Sequence, residues 1–296
     1  MFSKIEYRKG GSLFSNGTGQ FPKQAETFLA AVFIIFNLYL FRIHLGGNLV
    51  KLPLFAISLF TLLFFRKPLY RPWFWMGWFL FCLFYIFKYY ASAANHFFVS
   101  AYLCIAILLF LITGYTQHTL LQFHIRCLLG CILLCSAIHK TLSPNFMNGS
   151  FFQLFLDTGE LLKPVSALAP SWQEAVMYNK KALGELLKTS PDGDRVVALA
   201  YPTPHLATLA LASAWLSILF EALAGICIFL FAGKKFSHAI MIMTILGIFI
   251  FRLETGFLSM LAAMGILLAP NQRMQNLYSG LFILFASLLA AGIGLK

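Results

Sequence analysis

The chain has 296 residues, of which 60% are hydrophobic and only 11% are charged, whereas about a quarter of the residues in soluble domains are charged. This composition excludes a soluble globular protein, a disordered chain and a small disulfide-stapled module, and it is typical of a polytopic membrane protein. The net charge of +12 indicates basic loops in contact with anionic membrane lipids, and nucleic acid is not an expected partner.

Nine apolar stretches have the length and composition expected of membrane-spanning helices. They cover residues 25–41, 49–65, 73–90, 96–113, 119–138, 206–232, 236–251, 255–270 and 277–295. Charged residues or proline interrupt the second and the fifth, and a short polar turn separates the pair around residue 253, so a count of eight is also open. We expect an all-α transmembrane bundle of about nine helices.

The order of these stretches divides the chain into four parts. Residues 1–24 form an N-terminal segment, residues 25–138 the first five helices, residues 139–205 a long connection, and residues 206–296 the last four helices. A long polar segment precedes the first stretch, so we expect no cleavable signal peptide. With a cytoplasmic N-terminus, eleven basic residues lie inside and five lie in short outer segments, which is the orientation that the positive-inside rule favours.

In this orientation the long connection is extracytoplasmic. Residues 141–205 are too many for a bare loop, so we expect them to fold into a small cap. The sequence Ser171-Trp172-Gln173-Glu174 predicts a capping box at the start of an amphipathic helix, and Ser190-Pro191 predicts its end. This helix either lies flat on the outer leaflet or packs on the transmembrane helices.

Two pairs of polar residues are expected at the same outer mouth of the bundle. Asn95-His96 opens the fourth stretch and His139-Lys140 follows the fifth, and an antiparallel pair with a short connection brings these two ends together. At a wet helix end, Lys140 remains a cation that the helix dipole favours. In an apolar pocket, the same lysine would lose its proton more readily and act as a general base.

Three further charged residues need partners inside or beside the membrane. Glu221 stands alone in its apolar stretch, so it requires either a partner on another helix or a proton. At ~1.5 Å per residue it lies roughly 22 Å from the outer end of its helix, which predicts no easy contact with Lys140 and a role in holding helices together. Arg252 and Glu254 either line the mouth beside Lys140 or pair with each other.

The cysteines of the fifth stretch do not predict a metal site. Cys127, Cys131, Cys135 and His139 recur every four residues, and this spacing drifts around a helix by about 40° per step. Small polarizable residues at a helix interface explain the pattern better. Neither CxxC nor HExxH occurs, so no metal cofactor is expected.

Several short motifs, in their order, carry a family resemblance. Ser136-Ala137-Ile138-His139-Lys140, followed by Ser143-Pro144-Asn145-Phe146-Met147-Asn148-Gly149, resembles the lysine-containing stretch of the vitamin K-dependent gamma-carboxylases and of their bacterial relatives, the HTTM (horizontally transferred transmembrane) domain proteins. Asn95-His96, Phe220-Glu221-Ala222-Leu223 and the span from Gly256-Phe257 to Pro270 resemble other elements of that family. The resemblance covers roughly residues 25–270.

The resemblance implies quinol-dependent chemistry. In that family a neutral lysine takes a proton from vitamin K hydroquinone, oxygen adds, and the alkoxide formed deprotonates a glutamate that captures carbon dioxide. Lys140 corresponds to the lysine and His96 to the histidine that stabilises the oxygenated intermediate, and Asn95 and His139 are the expected supports. The expected cofactor is a reduced quinone, either vitamin K hydroquinone or menaquinol. The residues expected to bind it are Glu221, Arg252 and Glu254.

Some positions depart from the family pattern. His139 stands where a lysine or a small residue is usual, and the interval to Gly149 is one residue longer, so Thr141 is an alternative match to the lysine. The Phe-His pair that the family carries on its penultimate long span is missing from this sequence. Ile245 lies near that place, and His238 lies about two turns earlier. No part of the chain is expected to form the large domain that binds protein substrates in the carboxylases.

Two functions are therefore expected. The first is a stand-alone HTTM-type enzyme, lyase-like or an oxidoreductase, that uses a quinol and acts on a small peptide or protein. The alternative is a non-catalytic membrane factor for the maturation, export or immunity of a small secreted peptide, as in the sporulation-delaying protein B branch of the family. A transporter is disfavoured, because the sequence contains no repeated halves and no paired Gly- or Pro-broken spans.

Overall fold

The computed structural model describes residues 22–44, 56, 60, 62, 64, 66–88, 95–113, 118–159, 170–189, 198–200 and 205–293. At positions 39–44, 95, 96, 170, 171, 187 and 189 it describes the backbone but not the side chain. These parts of the chain are mostly helical and contain no β-strand. The predicted all-α class is therefore confirmed.

Eleven α-helices and one 3₁₀ helix make up the described part of the chain. They are α1 (Lys23–His44), the 3₁₀ helix (Lys67–Tyr70), α2 (Pro72–Lys88), α3 (Asn95–Ile112), α4 (His118–Leu142), α5 (Pro144–Met147), α6 (Ser150–Asp157), α7 (Pro170–Thr189), α8 (Leu206–Phe231), α9 (Lys235–Arg252), α10 (Thr255–Leu268) and α11 (Gln272–Ala290). Eight of the predicted apolar stretches coincide with α1–α4 and α8–α11. The second, at residues 49–65, lies mostly outside the described residues, so the count of nine stays a prediction.

The apolar character of the helices supports contact with membrane lipid. Of the described helices, α4, α8 and α9 are long and apolar enough to cross a membrane, and α2, residues 97–112 of α3 and α10 are apolar but shorter. Large apolar side chains such as Phe84, Phe87 and Ile283 are exposed, Phe87 to 78%. Soluble monomers rarely expose so much apolar surface, so we treat the chain as a membrane protein.

Helix α10 lies at the centre of the bundle. All of its residues except Phe257 are buried, and it packs against α1, α4, α9 and α11. Its hydroxyl groups bond to backbone carbonyls: Thr255 Oγ1 donates to Ile293 at 2.9 Å and Ser259 Oγ donates to Thr255 at 2.6 Å. A helix that is apolar on all sides and satisfies its own polar groups is suited to this central position.

Helices α4 and α8 pack antiparallel, with glycine where they cross. A Cβ atom on Gly225 of α8 would lie 2.8 Å from Cγ of Leu134, and one on Gly130 of α4 would lie 3.0 Å from the ring of Phe229. Because both positions are glycine, the two backbones approach closely. The pairs 134/225 and 130/229 define the register of the two helices.

The short helices α5 and α6 cover the first half of α8. They form an apolar cluster with it that contains Phe146, Phe152, Leu156, Leu206, Ala210 and Ala214. Gly149 joins the two short helices with φ of 79°, and a Cβ atom there would lie 2.9 Å from the backbone of Leu211. This position needs glycine for its backbone conformation and for its contact with α8.

His238 holds α9 against α11. Its Nε2 donates to the carbonyl of Ala232 at 2.7 Å, so its Nδ1 accepts from the hydroxyl of Tyr278 at 3.0 Å. The ring of Tyr278 lies over Gly265 of α10, where a Cβ atom would be 2.4 Å from it. All of these residues are buried except Ala232, which is partly exposed. Their contacts connect α9, α10 and α11.

Helix α7 is fastened to α6 by a buried asparagine. Asn179 Nδ2 donates to the carbonyls of Asp157 and Ala200, both at 2.9 Å, and its Oδ1 accepts from the N–H of Ala200 at 2.7 Å. The helix ends at Thr189, as the Ser-Pro pair predicted. It begins at Pro170, so Ser171 lies inside the first turn and the predicted capping box is wrong. Proline needs no N–H partner there and is well suited to start a helix.

Candidate functional site

A cavity of about 200 Å³ lies where α4 and α9 end and α10 begins. Its walls come from α4, α5, α6, α8 and α9 and from the start of α10. Six phenylalanines line it: Phe146, Phe151, Phe152, Phe220, Phe251 and Phe257. Four charged side chains also line it: Lys140, Glu221, Arg252 and Glu254. Two cations and two anions thus share one aromatic enclosure.

Lys140 projects from the last turn of α4 into this cavity. Its Nζ donates to Oε1 of Glu221 at 2.5 Å and to Oγ of Ser217 at 2.8 Å. The same nitrogen lies 5.3 Å from the ring centre of Phe146, within the range of a cation–π contact. The side chain is 17% exposed. Lys140 is therefore enclosed, as one of the two sequence interpretations required, and it is also paired with a carboxylate.

Glu221 finds its partner on another helix, as its isolation in the sequence required. Its side chain is 7% exposed, and its second oxygen, Oε2, is buried with no hydrogen-bond partner in the described residues. An unpaired buried acceptor costs about 1–3 kcal/mol. The carboxylate therefore keeps one enclosed oxygen without a hydrogen bond in a residue that lines the cavity.

The contact between Lys140 and Glu221 corrects the depth predicted from the sequence. The prediction measured the depth of Glu221 from Leu206, the first residue of α8. In the structure, this end of α8 extends past Leu142, the last residue of α4. The register at Gly130 and Gly225 places the end of α4 beside residues 217–221, so the first turns of α8 project roughly 15 Å beyond it. Short helices α5 and α6 cover this projecting part.

Arg252 and Glu254 both pair with each other and line the cavity with Lys140, so the two interpretations of the sequence hold together. Arg252 Nε lies 2.8 Å from Glu254 Oε1. Between them, Leu253 has φ of 50°, an uncommon conformation for a residue with a branched side chain, which folds the turn tightly. Burial raises the pKa of Glu254, Arg252 and Lys140 lower it, and Glu221 raises it further. Glu254 therefore senses the charges of the lysine pair.

Hydroxyl side chains complete the polar part of the wall. They are Ser136, Ser213, Ser217 and Thr244. Thr244 Oγ1 already donates to the carbonyl of Ile240 at 2.9 Å. Ser217 was not predicted as a site residue, although Ser213, Ser217 and Glu221 recur every four residues and therefore share one face of α8. Phe146 was not predicted as a site residue either, because only the fold of α5 brings it to Lys140.

Of the other predicted site residues, none with a described side chain lines this cavity. The side chains of Asn95 and His96 lie outside the described residues, so their placement at the same mouth stays a prediction. His139 is exposed and does not line the cavity, because one step along a helix turns its side chain by about 100° from that of Lys140. Thr141 Oγ1 donates to the carbonyl of Ala137 at 2.8 Å, so Lys140 is the residue that faces the cavity.

A second buried carboxyl lies where α6 ends. Asp157 is buried, its Oδ1 has no hydrogen-bond partner in the described part of the chain, and burial raises its pKa to about 6. Its backbone carbonyl receives the bond from Asn179. The carboxyl is not among the residues that line the cavity.

The sulfur-containing residues of α4 do not converge. All six cysteines are free, and Cys131 and Cys135 lie on an exposed helix face. Among the described residues, no group of three or more histidine, cysteine, aspartate or glutamate side chains is arranged to hold a metal ion. The residues that recur every four positions from Cys127 to His139 therefore run along the outer surface of α4.

Comparison of the chain with protein-family models, with curated proteins and with solved structures gives no match.

Proposed function

We propose that this chain is an HTTM-type integral membrane protein whose cavity binds the head group of a reduced quinone, with Lys140 as the base. The observation that carries this proposal is the unpartnered Oε2 of Glu221 beside Lys140 in a cavity lined by phenylalanines. A ligand hydroxyl would satisfy this oxygen, and the aromatic walls suit a flat aromatic ring.

The size of the cavity agrees with a head group. Pockets that enclose a whole drug-sized ligand have volumes of roughly 300–1,000 Å³, whereas this cavity has about 200 Å³. A ring would enter it and an isoprenoid tail would stay among the lipid chains. The exposed apolar faces of α8 and α9, with Leu216 and Met243 at the cavity, offer that tail a path.

The lysine and its glutamate together have the properties of a base. A bound quinol supplies a hydroxyl proton and two reducing equivalents. Lys140 Nζ becomes an acceptor when its own proton moves to Glu221, which turns ammonium and carboxylate into amine and carboxylic acid without a change in total charge. An enclosed site of lower dielectric constant than water favours this neutral pair more than bulk water does. Ser217 and Phe146 keep Nζ in place.

The proposed architecture places this cavity at the extracytoplasmic end of nine spans. The N-terminus lies in the cytoplasm, and residues 141–205 form the cap. The basic residues at the start of α9, Lys234 and Lys235, support this orientation, since they lie at the end of α8 opposite to Lys140. A small peptide or protein would approach from the outside.

Oxygen-dependent epoxide formation from reduced menaquinone or a vitamin K analogue tests the proposal. We expect purified protein in lipid to form the epoxide and Lys140→Ala to lose at least 100-fold in rate, on the order of the contribution of a general base. Lys181→Ala is the matched control, because Lys181 is exposed on α7. Equal rates for Lys140→Ala and the folded wild type would remove Lys140 from the mechanism.

One observation favours the second candidate function, a non-catalytic membrane factor. Lys140 joins α4, α5 and α8 through Glu221, Ser217 and Phe146, and such a satisfied contact also serves a purely structural role. This function predicts no epoxide from well-folded protein with any of several quinols. A gene for a small secreted peptide next to the gene of this protein would support it.

A further inference from the structure

We propose that Glu254 transfers protons between the buried Lys140–Glu221 pair and the water at this end of the bundle. The role rests on the proposed function, because the pair has a proton to release only when Lys140 acts as a base. Nothing in the motifs of the sequence assigns this role to Glu254, and it follows from where the turn between α9 and α10 places its side chain.

The first argument is a gradient of exposure along the charged wall of the cavity. The side chains of Glu221 and Lys140 are 7% and 17% exposed, and those of Glu254 and Arg252 are 22% and 47% exposed. Glu254 is thus more exposed than the enclosed pair and less exposed than its partner Arg252. A carboxylate of intermediate exposure on the same cavity wall suits the transfer of a proton from the pair to solvent.

The groups of this wall share one enclosed space. Lys140, Glu221 and Glu254 line the same cavity of about 200 Å³, and once the oxidised head group has left, this volume is enough for several water molecules. Water can therefore connect Lys140 Nζ to the Glu254 carboxylate by hydrogen bonds. Ser136 and Ser217 add hydroxyl groups to the wall of this cavity.

The third argument is the electrostatic setting of Glu254. The charged groups that face it are Arg252 on α9, Lys140 on α4 and Glu221 on α8, whereas α5 and α6 contribute only phenylalanines to the cavity. Burial raises the pKa of Glu254, so its carboxylate accepts a proton more readily than an exposed glutamate does. The ion pair with Arg252 orients the carboxylate before it takes up the proton.

The transfer balances in two steps. First, an N–H bond of the Lys140 ammonium breaks and an O–H bond of Glu254 forms through water, which leaves a neutral amine and a carboxylic acid. Second, the Glu254 O–H bond breaks to solvent water and restores the carboxylate. No electrons are exchanged, and the net result is release of one proton from the pair.

A pH titration of the carboxyl C=O stretch by infrared spectroscopy tests the electrostatic part without any quinol. We expect a band that Glu254→Gln removes and that Glu174→Gln, which changes an exposed glutamate of α7, leaves unchanged. The midpoint of this band should rise in Lys140→Met, which removes a cation, and fall in Glu221→Gln, which removes an anion. A midpoint that stays the same in Lys140→Met and in Glu221→Gln would overturn the proposal.

Turnover measurements test the transfer itself. In Glu254→Gln we expect the steady-state rate to fall at least tenfold more than the rate of the first turnover, and to recover with a small weak acid or base such as imidazole. Equal losses in the two rates, or no rescue by imidazole, would contradict the role of Glu254. A wild type without quinol activity would refute the proposed function and with it this transfer role, whereas the infrared midpoints would still report on the electrostatic coupling of Glu254 to the pair.

Discussion

Lys140 and Glu221 stabilise the fold only as a pair. Removal of one partner leaves the other charge in an enclosed site, which typically costs about 3–5 kcal/mol, whereas a matched apolar or neutral replacement of both partners costs much less. We expect Lys140→Met and Glu221→Gln each to lower the unfolding temperature in detergent strongly. The double variant should be far more stable than the sum of the two effects predicts.

The control for this cycle is Lys181→Met combined with Glu221→Gln. Lys181 is exposed on α7 and is not among the partners of Glu221, so these two substitutions should act additively. Additive effects for Lys140 and Glu221 as well would mean that the pair contributes no coupling energy.

Asp157 should make the stability of the protein depend on pH. Its pKa is about 6 in the fold against an ordinary value of 3.8, so the folded protein keeps a proton that the unfolded chain releases. The stabilisation is complete below the ordinary pKa and is lost as pH rises through about 6, by about 3 kcal/mol at most. Asp157→Asn should therefore melt higher than the wild type at about pH 8, and the gain should shrink towards about pH 4.

The melting difference between Asp157→Asn and the wild type should be measured over this pH range. Asp157→Asn keeps the backbone carbonyl that Asn179 binds, so the comparison isolates the carboxyl. A gain that is constant with pH would mean that Asp157 does not titrate in this range.

At the scale of the elements, Gly149 fixes the position of α5 and α6 on α8. Alanine at this position would face a strained left-handed backbone and the backbone of Leu211 at 2.9 Å. The backbone strain alone costs about 1–2 kcal/mol. We expect Gly149→Ala to lower the unfolding temperature and to weaken the contact between Phe146 and Lys140, which quinol-binding measurements would detect.

Gly184→Ala is the matched control for Gly149→Ala. Gly184 lies within α7, and a Cβ atom added there meets nothing within 4 Å. Alanine favours the helix interior by about 1 kcal/mol over glycine, so this variant should be neutral or stabilising. Equal losses from both substitutions would show that the contact of Gly149 with α8 has no special importance.

The helices themselves were predictable, because each long apolar run has the length of a span and ends at polar or basic residues. The displacement of α8 along its axis relative to α4 was not predictable. Whether Lys140 reaches Glu221 depends on the close approach at Gly130 and Gly225, and a single sequence does not state which glycines face each other. The four-residue spacing of Ser217 and Glu221 did indicate a shared helix face, but not what lies opposite that face.

At the scale of the whole molecule, orientation in the membrane is the open prediction. Cysteine introduced at Ser150, next to the cavity, should react with a membrane-impermeant maleimide added outside the cell. Cysteine introduced at Lys234, at the other end of α8, should react only after the membrane is permeabilised. The background should have the six native cysteines replaced by serine.

The reverse pattern of labelling would invert the proposed topology and place the cavity on the cytoplasmic side. Labelling of both positions from outside would mean that α8 does not cross the membrane. The positive-inside rule supports the first pattern, because basic residues flank the Lys234 end.

The central position of α10 could not have been foreseen. Its sequence is as apolar as those of α2, α3 and α8, and apolar residues suit lipid and protein neighbours equally well. In the structure α10 is surrounded by α1, α4, α9 and α11, with only Phe257 half-exposed, at the cavity. Sequence patterns therefore predicted which segments are helices, but not which of them the others enclose.

The register between α4 and α8 limits how the chain can change length during evolution. One residue inserted between Leu134 and Lys140 would leave Gly225 packed against Leu134 but would turn Lys140 by about 100° away from Glu221. A deletion would turn it by the same angle in the opposite sense. Insertions and deletions in this interval should therefore be absent from any homologue that keeps the lysine pair.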